Sequence, residues 1–230
     1  MADTKTGAIA YHEALLRLIL EDGQVAMPHE FLAPAQRAGL MQELDGFVVR
    51  TALEVLLAYP SKRLAVNLSA ATLSDARWAE PLTEAVRMQR SDPERLIFEI
   101  TETAAIADMA KARHIMDALR RQGFCFALDD FGAGFSSLYY LKHLPVAYVK
   151  IDRSLIKDLA TDEGNRNFVR AITTMVHAYG KKVVGKGVEN AETLAMLREM
   201  GVDLVQGFYI SHPSEEGDQL SGVPPERIIM

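Results

Sequence analysis

The stretch "CFALDDFGAGFSSLYYLKHLPVAYVKID", residues 125–152, decides the fold because it combines strand, loop, helix and strand in direct succession. The apolar runs at 125–130 and 147–152 have the length and composition of buried strands. Between them lie a glycine-containing turn and a helix that we expect to begin near Ser136. Two strands joined by a helical crossover are parallel neighbours in one sheet, so this unit predicts an α/β fold.

The same alternation of strands and helices continues on both sides of this unit. Further strands are predicted at 8–16, 63–69, 96–101, 182–188 and 204–209. Helices are predicted at 105–122 and 166–179, with two more inside 30–59. Because no charge-rich or Gly/Ser-rich linker interrupts the pattern, we expect one (β/α)8 TIM-like barrel domain over residues 1–230. Its core is expected to span 7–213, followed by a polar C-terminal tail over 214–230.

The composition excludes several classes of protein. The 230 residues carry 25 basic and 31 acidic side chains, and the formal charge of −6 disfavours binding to nucleic acid polymers. The single cysteine, Cys125, cannot form an internal disulfide, and residues 1–7 show no signal-peptide pattern. The longest apolar region, 47–59, contains Arg50 and Glu54, so no membrane span is expected. We therefore expect a cytoplasmic protein.

Polar residues recur inside or just after the apolar strand runs. They are Glu13, Asn67, Glu99, Asp129, Asp130, Lys150, Asp152, Lys186, Glu189 and Gln206. A buried strand has no reason to carry such groups repeatedly, since each unpaired charge is costly in an apolar interior. In a barrel of parallel strands, the C-terminal strand ends converge on one mouth. The pattern therefore predicts a ring of carboxylates that suits Mg²⁺ or Mn²⁺, with Ca²⁺ as a non-catalytic occupant.

Each of these residues also has an ordinary structural explanation. Glu13 alone could be a surface acid on an edge strand, and Asn67 could cap the turn after its strand. Asp129 and Asp130 could cap the helix that follows the glycine loop. Lys150 could be a surface lysine paired with the nearby Asp152. Together these explanations require a separate coincidence on each strand, so the shared pocket is the better hypothesis.

Several stretches between residues 7 and 213 resemble a known family. They include "YHEALLR" (11–17), "VNLS" (66–69), "FEITET" (98–103), "DDFGAGFSSL" (129–138), "KIDRS" (150–154) and "QGFYISHP" (206–213). In this order they resemble the EAL domain, a bacterial family that hydrolyses the second messenger cyclic di-GMP. The combination of "DDFGAGFSSL" with "KIDRS" is the specific part, whereas Glu-Ala-Leu at 13–15 alone carries no weight.

The resemblance implies a two-metal phosphodiesterase that converts cyclic di-GMP to linear pGpG. The implied metal ligands are Glu13, Asn67, Glu99, Asp129 and Asp130. The positions matching catalytic residues of the family are Lys150, Lys186, Gln206 and Glu189. Arg17 and Asp152 match contacts to the ligand, while Glu102 and Glu189 match acids that brace the loop at 131–137. The resemblance also implies a homodimer, with regulatory or diguanylate-cyclase domains in a longer parent protein.

Two features depart from the family pattern. Where the family has Glu-Gly-Val-Glu, this chain has Lys186-Gly187-Val188-Glu189, so a metal-binding carboxylate is replaced by an ammonium group. Two unit charges 4 Å apart interact by about 4 kcal/mol at an effective dielectric of 20, and here that interaction would repel the second metal. Family members also have a first strand with Gln-Pro-Ile before the Thr-Gly turn at 6–7, which this chain lacks. We therefore expect a barrel that lacks or modifies its first strand.

Three classes of function remain open on these residues. The first is a receptor that keeps one metal site and binds cyclic di-GMP with weak or no hydrolysis, because of Lys186. The second is a working phosphodiesterase, or an engineered inactive variant of one. The third is a protein-interaction module that has lost the nucleotide. We expect the first, since the rest of the implied ligand set is intact.

Overall fold

A curled eight-stranded sheet forms the centre of the fold in the computed structural model, which describes residues 1–88, 92–134 and 138–213. The strands are β1 (Ala2–Asp3), β2 (His12–Ala14), β3 (Leu18–Ile19), β4 (Val25–Ala26), β5 (Leu64–Asn67), β6 (Leu96–Thr101), β7 (Cys125–Phe131), β8 (Tyr148–Ile151), β9 (Lys182–Lys186) and β10 (Leu204–Gln206). The sheet order is β1-β10-β9-β8-β7-β6-β5-β2, and β3 pairs with β4 in a separate hairpin. Every pair in the large sheet is parallel except β1 with β10, so the sheet is that of a TIM-like barrel with a modified first strand.

Helices follow most of the strands and cover the outside of the sheet. They are α1 (Pro28–Arg37), α2 (Met41–Ala58), α3 (Ala70–Leu73), α4 (Ala79–Met88), α5 (Glu102–Ala107), α6 (Met109–Arg121), α7 (Leu138–His143), α8 (Arg153–Ile156), α9 (Glu163–Ala178) and α10 (Ala191–Glu199). The single helix predicted at 105–122 is instead two helices. They separate at Asp108, whose backbone is not helical and whose side chain caps α6 by accepting from Lys111 N at 3.2 Å. The predicted helix start near Ser136 and the tail at 214–230 lie outside the described residues.

The first strand is present in modified form. β1 contains only two residues because an Asx turn at Asp3 follows at once, with the Asp3 side chain accepting from Lys5 N and Thr6 N. β1 pairs antiparallel with β10, and an isolated bridge joins Ala2 to Ile9 ahead of β2. Residues 1–3 therefore connect the two ends of the sheet, and the fold includes residues before the predicted core start at 7.

Two apolar layers hold the barrel together. Alternate residues of each strand face the helices, as Phe98 and Ile100 of β6 do. The intervening residues, such as Ile97, face the barrel interior and pack there with Tyr11 and Tyr148. Both sets are buried, so the polar residues of the inner face lie directly above a layer of buried apolar side chains, which we call the apolar floor. None of the helices in the described ranges is both long and apolar enough to cross a membrane.

Candidate active site

Seven strands each carry a polar residue two positions after a residue of the apolar floor. The floor residues are Tyr11, Ala65, Ile97, Ala127, Tyr148, Val184 and Leu204. Two positions later come Glu13, Asn67, Glu99, Asp129, Lys150, Lys186 and Gln206. Because side chains in a strand repeat with a period of two, these seven share the inner face with the floor. We call them, with the adjoining Asp130, the polar layer. They lie toward the C-terminal strand ends, where barrel active sites are found.

Lys150 lies at the centre of the polar layer and is fully buried. Its Nζ donates to Glu13 Oε2 at 3.1 Å and to Glu99 Oε2, and lies 3.8 Å from Asp129 Oδ1. Burial lowers the pKa of Lys150, but the charges of Glu99, Glu13 and Asp129 outweigh it and raise the pKa above its ordinary value. Lys150 is therefore a permanent internal cation.

The two glutamates beside Lys150 differ in their surroundings. Burial raises the pKa of Glu13, but Lys150 and hydrogen bonds from Asn67 Nδ2 (3.0 Å) and Gln206 Nε2 (2.8 Å) outweigh it and lower the pKa to about 2. At Glu99, burial outweighs the attraction of Lys150 and raises the pKa to about 8. Glu99 Oε2 accepts from Lys150, whereas Glu99 Oε1 is buried with no partner among the described residues. Both carboxylate oxygens of Glu13 thus accept hydrogen bonds, whereas only one oxygen of Glu99 accepts a hydrogen bond from the described residues.

Lys186 joins the two consecutive aspartates at the end of β7. Its Nζ donates to Asp129 Oδ1 at 2.8 Å and to Asp130 Oδ1 at 2.6 Å. Burial lowers the pKa of Lys186, but the charge of Asp129 and the two hydrogen bonds raise it overall, despite repulsion from Lys150. Asp130 has a φ of 55°, in the left-handed region, and its N–H donates to Asp129 Oδ1 at 2.9 Å. Both carboxylates thereby converge on one ammonium group.

The donor chemistry of the polar layer fits a hard divalent cation. The layer holds four carboxylates and two ammonium groups, which gives it a formal charge of −2. Two buried oxygens, Glu99 Oε1 and Gln206 Oε1, have no hydrogen-bond partner within the described residues. As they stand, no three acid, histidine or cysteine side chains of the described ranges form a group that could hold a metal, since Lys150 lies among Glu13, Glu99 and Asp129. Carboxylate and amide oxygens suit Mg²⁺ or Mn²⁺, provided that the carboxylates now in contact with Lys150 rotate away from it.

The predicted residues outside the polar layer lie around it with different partners. Glu189 is exposed, and its Oε1 lies 2.5 Å from the guanidinium of Arg153. The sequence analysis did not single out Arg153. Asp152 caps α8 by accepting from Ser154 N at 2.9 Å. Burial raises the pKa of Asp152, but its hydrogen bonds and the charge of Lys186 lower it overall. The surface pair of Lys150 with Asp152 that we considered does not form, because Lys150 is turned inward.

Two more predicted residues follow strands that carry the polar layer. Arg17 follows β2, and its guanidinium donates to the carbonyl of Leu16 at 2.8 Å. Glu102 is buried in the first turn of α5. It directly follows Thr101, whose backbone is in register with Asp129. The loop at 131–137, which Glu102 and Glu189 were expected to brace, extends into 135–137, and these three residues lie outside the described part of the chain.

Two structural residues of the site also escaped the sequence analysis. Tyr11 lies in the floor beneath Glu13, and only the period of two along β2 could have indicated it. Gly207 follows Gln206 at a point where a Cβ atom would overlap the backbone of Val188. This close approach lets Val188 N donate to Gln206 O at 3.0 Å and Tyr209 N donate to Val188 O at 3.0 Å. A lone glycine in the sequence carries no signal for such a contact.

Comparison with known proteins identifies the family. The family model described as "EAL domain" matches residues 1–213. Cyclic di-GMP phosphodiesterase PdeB of Shewanella oneidensis is 35% identical over 205 residues, which cover 87% of this chain and 24% of that protein. Among solved structures, the PaMucR phosphodiesterase in complex with c-di-GMP has a TM-score of 0.85 at 31% identity, covering 92% of this chain and 87% of that one. The FimX EAL domain from Pseudomonas aeruginosa bound to c-di-GMP has a TM-score of 0.86 at 32% identity, covering 93% and 87%.

The chain belongs to the EAL domain family, because the family model matches 213 of its 230 residues. The chain spans about a third or less of the length of the curated relatives it matches, with 32%, 24% and 26% of three such sequences covered.

Proposed function

We propose that this EAL domain binds cyclic di-GMP at its polar layer and hydrolyses it weakly or not at all. The observation that carries this proposal is the position of Lys186, whose Nζ lies 2.8 Å from Asp129 Oδ1 and 2.6 Å from Asp130 Oδ1. These two aspartates are the residues that the family resemblance assigns to the second metal ion. The ammonium group already offsets half of their negative charge, and it would repel a divalent cation placed between them.

Ligand binding is supported by the similarity to two solved EAL domains whose structures contain c-di-GMP. Both superpose on more than nine-tenths of this chain at over 30% identity. The strand ends that carry Asn67, Glu99 and Asp129 are held in register by continuous parallel pairing of β5, β6 and β7. This pairing supports the proposal that these side chains keep their positions when the chemical step is lost.

We further propose that the domain takes one divalent cation, Mg²⁺ or Mn²⁺, with Ca²⁺ as an occupant that supports no turnover. The residues that would hold it are Glu13, Asn67, Glu99 and Asp129. When bound, such an ion polarises a phosphate oxygen and acidifies a water molecule. The formal charge of the polar layer, −2, matches one divalent ion, whereas a glutamate at position 186 would make it −4 and match two.

The other side chains have roles that follow from their contacts. Lys150 keeps Glu13 ionised and contacts Glu99, and Gln206 donates to Glu13 while its Oε1 has no hydrogen-bond partner within the described residues. We propose that Arg17 and Asp152 contact the ligand, and that Glu102 and Glu189 steady the segment after β7, Glu189 through Arg153. The homodimer, the cytoplasmic location and the additional domains of a longer parent protein are also proposals, based on the family resemblance.

The test compares this chain with its Lys186→Glu variant in cyclic di-GMP hydrolysis, using Mg²⁺ and Mn²⁺ under identical conditions. We expect turnover in the variant and little or none in the parent, with linear pGpG as the product. Equal turnover in both proteins would favour the second candidate, a working phosphodiesterase, and would refute the role given to Lys186. If neither protein turns over but both bind cyclic di-GMP, the defect lies elsewhere, and the modified first strand is the next candidate.

A further inference from the structure

We propose that Lys186 makes ligand binding by this domain independent of divalent cations. The inference rests on the proposed function, because it concerns how the same mouth recognises cyclic di-GMP. Lys186 would act as a cation built into the chain, which organises Asp129 and Asp130 and presents positive charge to a ligand phosphate. Divalent ions would then be dispensable for affinity.

The first step concerns the two aspartates. Asp129 and Asp130 are adjacent in sequence, and both turn an Oδ1 atom toward one Nζ. Two carboxylates this close repel each other unless a cation lies between them. Asp130 also holds a left-handed φ of 55°, a strained conformation for a residue other than glycine. The Lys186 ammonium balances both the repulsion and the strain, so the arrangement forms without a metal ion.

The second step concerns how firmly the ammonium is held. Gly187 has a φ of 75°, and its missing Cβ leaves space for the Arg153 stem, whose guanidinium pairs with Glu189. On the other side, Val188 N donates to Gln206 O at 3.0 Å. The turn after Lys186 is therefore tied to both α8 and β10. A tethered ammonium has a high effective concentration at its site, which a metal ion reaches only through its own binding equilibrium.

The third step concerns access. The polar layer contains two ammonium groups, and Lys150 is fully buried beneath Glu13 and Glu99. The Lys186 side chain is 20% exposed, so it is the one that an incoming anion can contact. Asp130, its second partner, is 43% exposed and can give way to a phosphate oxygen. The ammonium has three N–H donors, of which two go to Asp129 and Asp130. One donor therefore remains for a phosphate oxygen, and a second becomes available when Asp130 gives way.

The experiment measures cyclic di-GMP affinity by isothermal titration calorimetry, in EDTA and in Mg²⁺, for the parent, Lys186→Glu and Lys186→Met. For the parent we expect dissociation constants that agree within about threefold in the two buffers. For both variants we expect binding at least about tenfold weaker in EDTA, and for Lys186→Glu we expect recovery when Mg²⁺ is added. Lys182→Glu is the matched control, since it places the same charge change at the exposed start of β9. It should leave the affinity unchanged in both buffers.

Circular dichroism and thermal unfolding establish whether each variant is folded. If the charge reversal in Lys186→Glu unfolds the barrel, the comparison of affinities uses Lys186→Met and the parent. A parent that binds cyclic di-GMP only when Mg²⁺ is present would overturn this inference and leave the proposed function standing. A parent that binds under neither condition would overturn the proposed function, and this inference with it. Equal binding in EDTA by the parent and Lys186→Met would show that the ammonium contributes nothing to affinity.

Discussion

Replacing Lys150 by methionine should destabilise the barrel more than any exposed lysine substitution. The Lys150 side chain is fully buried, and its Nζ contacts Glu13 and Glu99 and lies 3.8 Å from Asp129. Methionine keeps the length of the side chain but removes the only cation that is buried between these carboxylates in the described structure. Removing one partner of a buried ion pair leaves uncompensated charge, and typically costs about 3–5 kcal/mol. We expect a loss of that size in the free energy of unfolding.

The assay is urea denaturation at neutral pH with EDTA, so that no cation can replace the ammonium group. The control is Lys157→Met, an exposed lysine 3.7 Å from Asp158, for which we expect a loss below about 0.5 kcal/mol. Adding Glu13→Gln to Lys150→Met removes one of the stranded carboxylates. It should make the double variant at least about 1 kcal/mol more stable than the sum of the two single effects.

Two results would refute this reasoning. A loss below about 1 kcal/mol for Lys150→Met would mean that water or protonation satisfies the carboxylates without the lysine. Strict additivity in the double variant would mean that Lys150 and Glu13 do not interact, in contradiction to their contact. A change in the slope of unfolding against urea would signal an altered folded or denatured state, and the free energies could then not be compared.

Three further predictions test other parts of the site. The pKa of Glu13 is lowered from 4.5 to about 2, so its stabilisation of about 3 kcal/mol is present above pH 4.5 and is lost as the pH falls through about 2. Glu13→Gln should flatten the stability profile between about pH 5 and pH 2 in urea titrations, and an unchanged profile would show that another group titrates there. Gly207→Ala should lower the free energy of unfolding in urea by about 3 kcal/mol, because the added Cβ would overlap the backbone of Val188. For the control Gly134→Ala, whose added Cβ would have no atom within 4 Å, the loss should be less than about 1 kcal/mol. Addition of Mg²⁺ should raise the midpoint temperature of unfolding more for Lys186→Glu than for the parent, since the formal charge of the polar layer changes from −2 to −4. Equal increases in the two proteins would contradict the proposed exclusion of the second ion.

Most of the barrel could be predicted because its strands are short, apolar and bounded by polar residues. The prediction at 96–101 coincides with β6, the run at 125–130 ends one residue before the end of β7, and the other five runs each contain an observed strand. The helix predicted at 105–122 was wrong in one respect, since a side-chain cap at Asp108 divides it. Local capping competes with helix propagation, and an aspartate within a helical pattern does not reveal which will prevail.

The site was predictable to the extent that it depends on position within a strand. The period of two places Glu99 on the same face as Ile97 and Lys150 on the same face as Tyr148, and parallel strands bring such positions to one mouth. The pairing of Arg153 with Glu189 was missed, because each residue alone looks like an ordinary surface charge.

The sequence by itself determined the family, the strands and the residues that line the mouth, because these follow from local periodicity and from motifs within short segments. Only the tertiary structure decided which carboxylate meets which ammonium group. Lys150 reaches Glu13 across 137 positions of sequence, and Lys186 reaches Asp129 across 57. Hydrogen bonds act over about 3 Å, and distances of that scale are set by sheet register and barrel closure, which no local stretch of sequence contains.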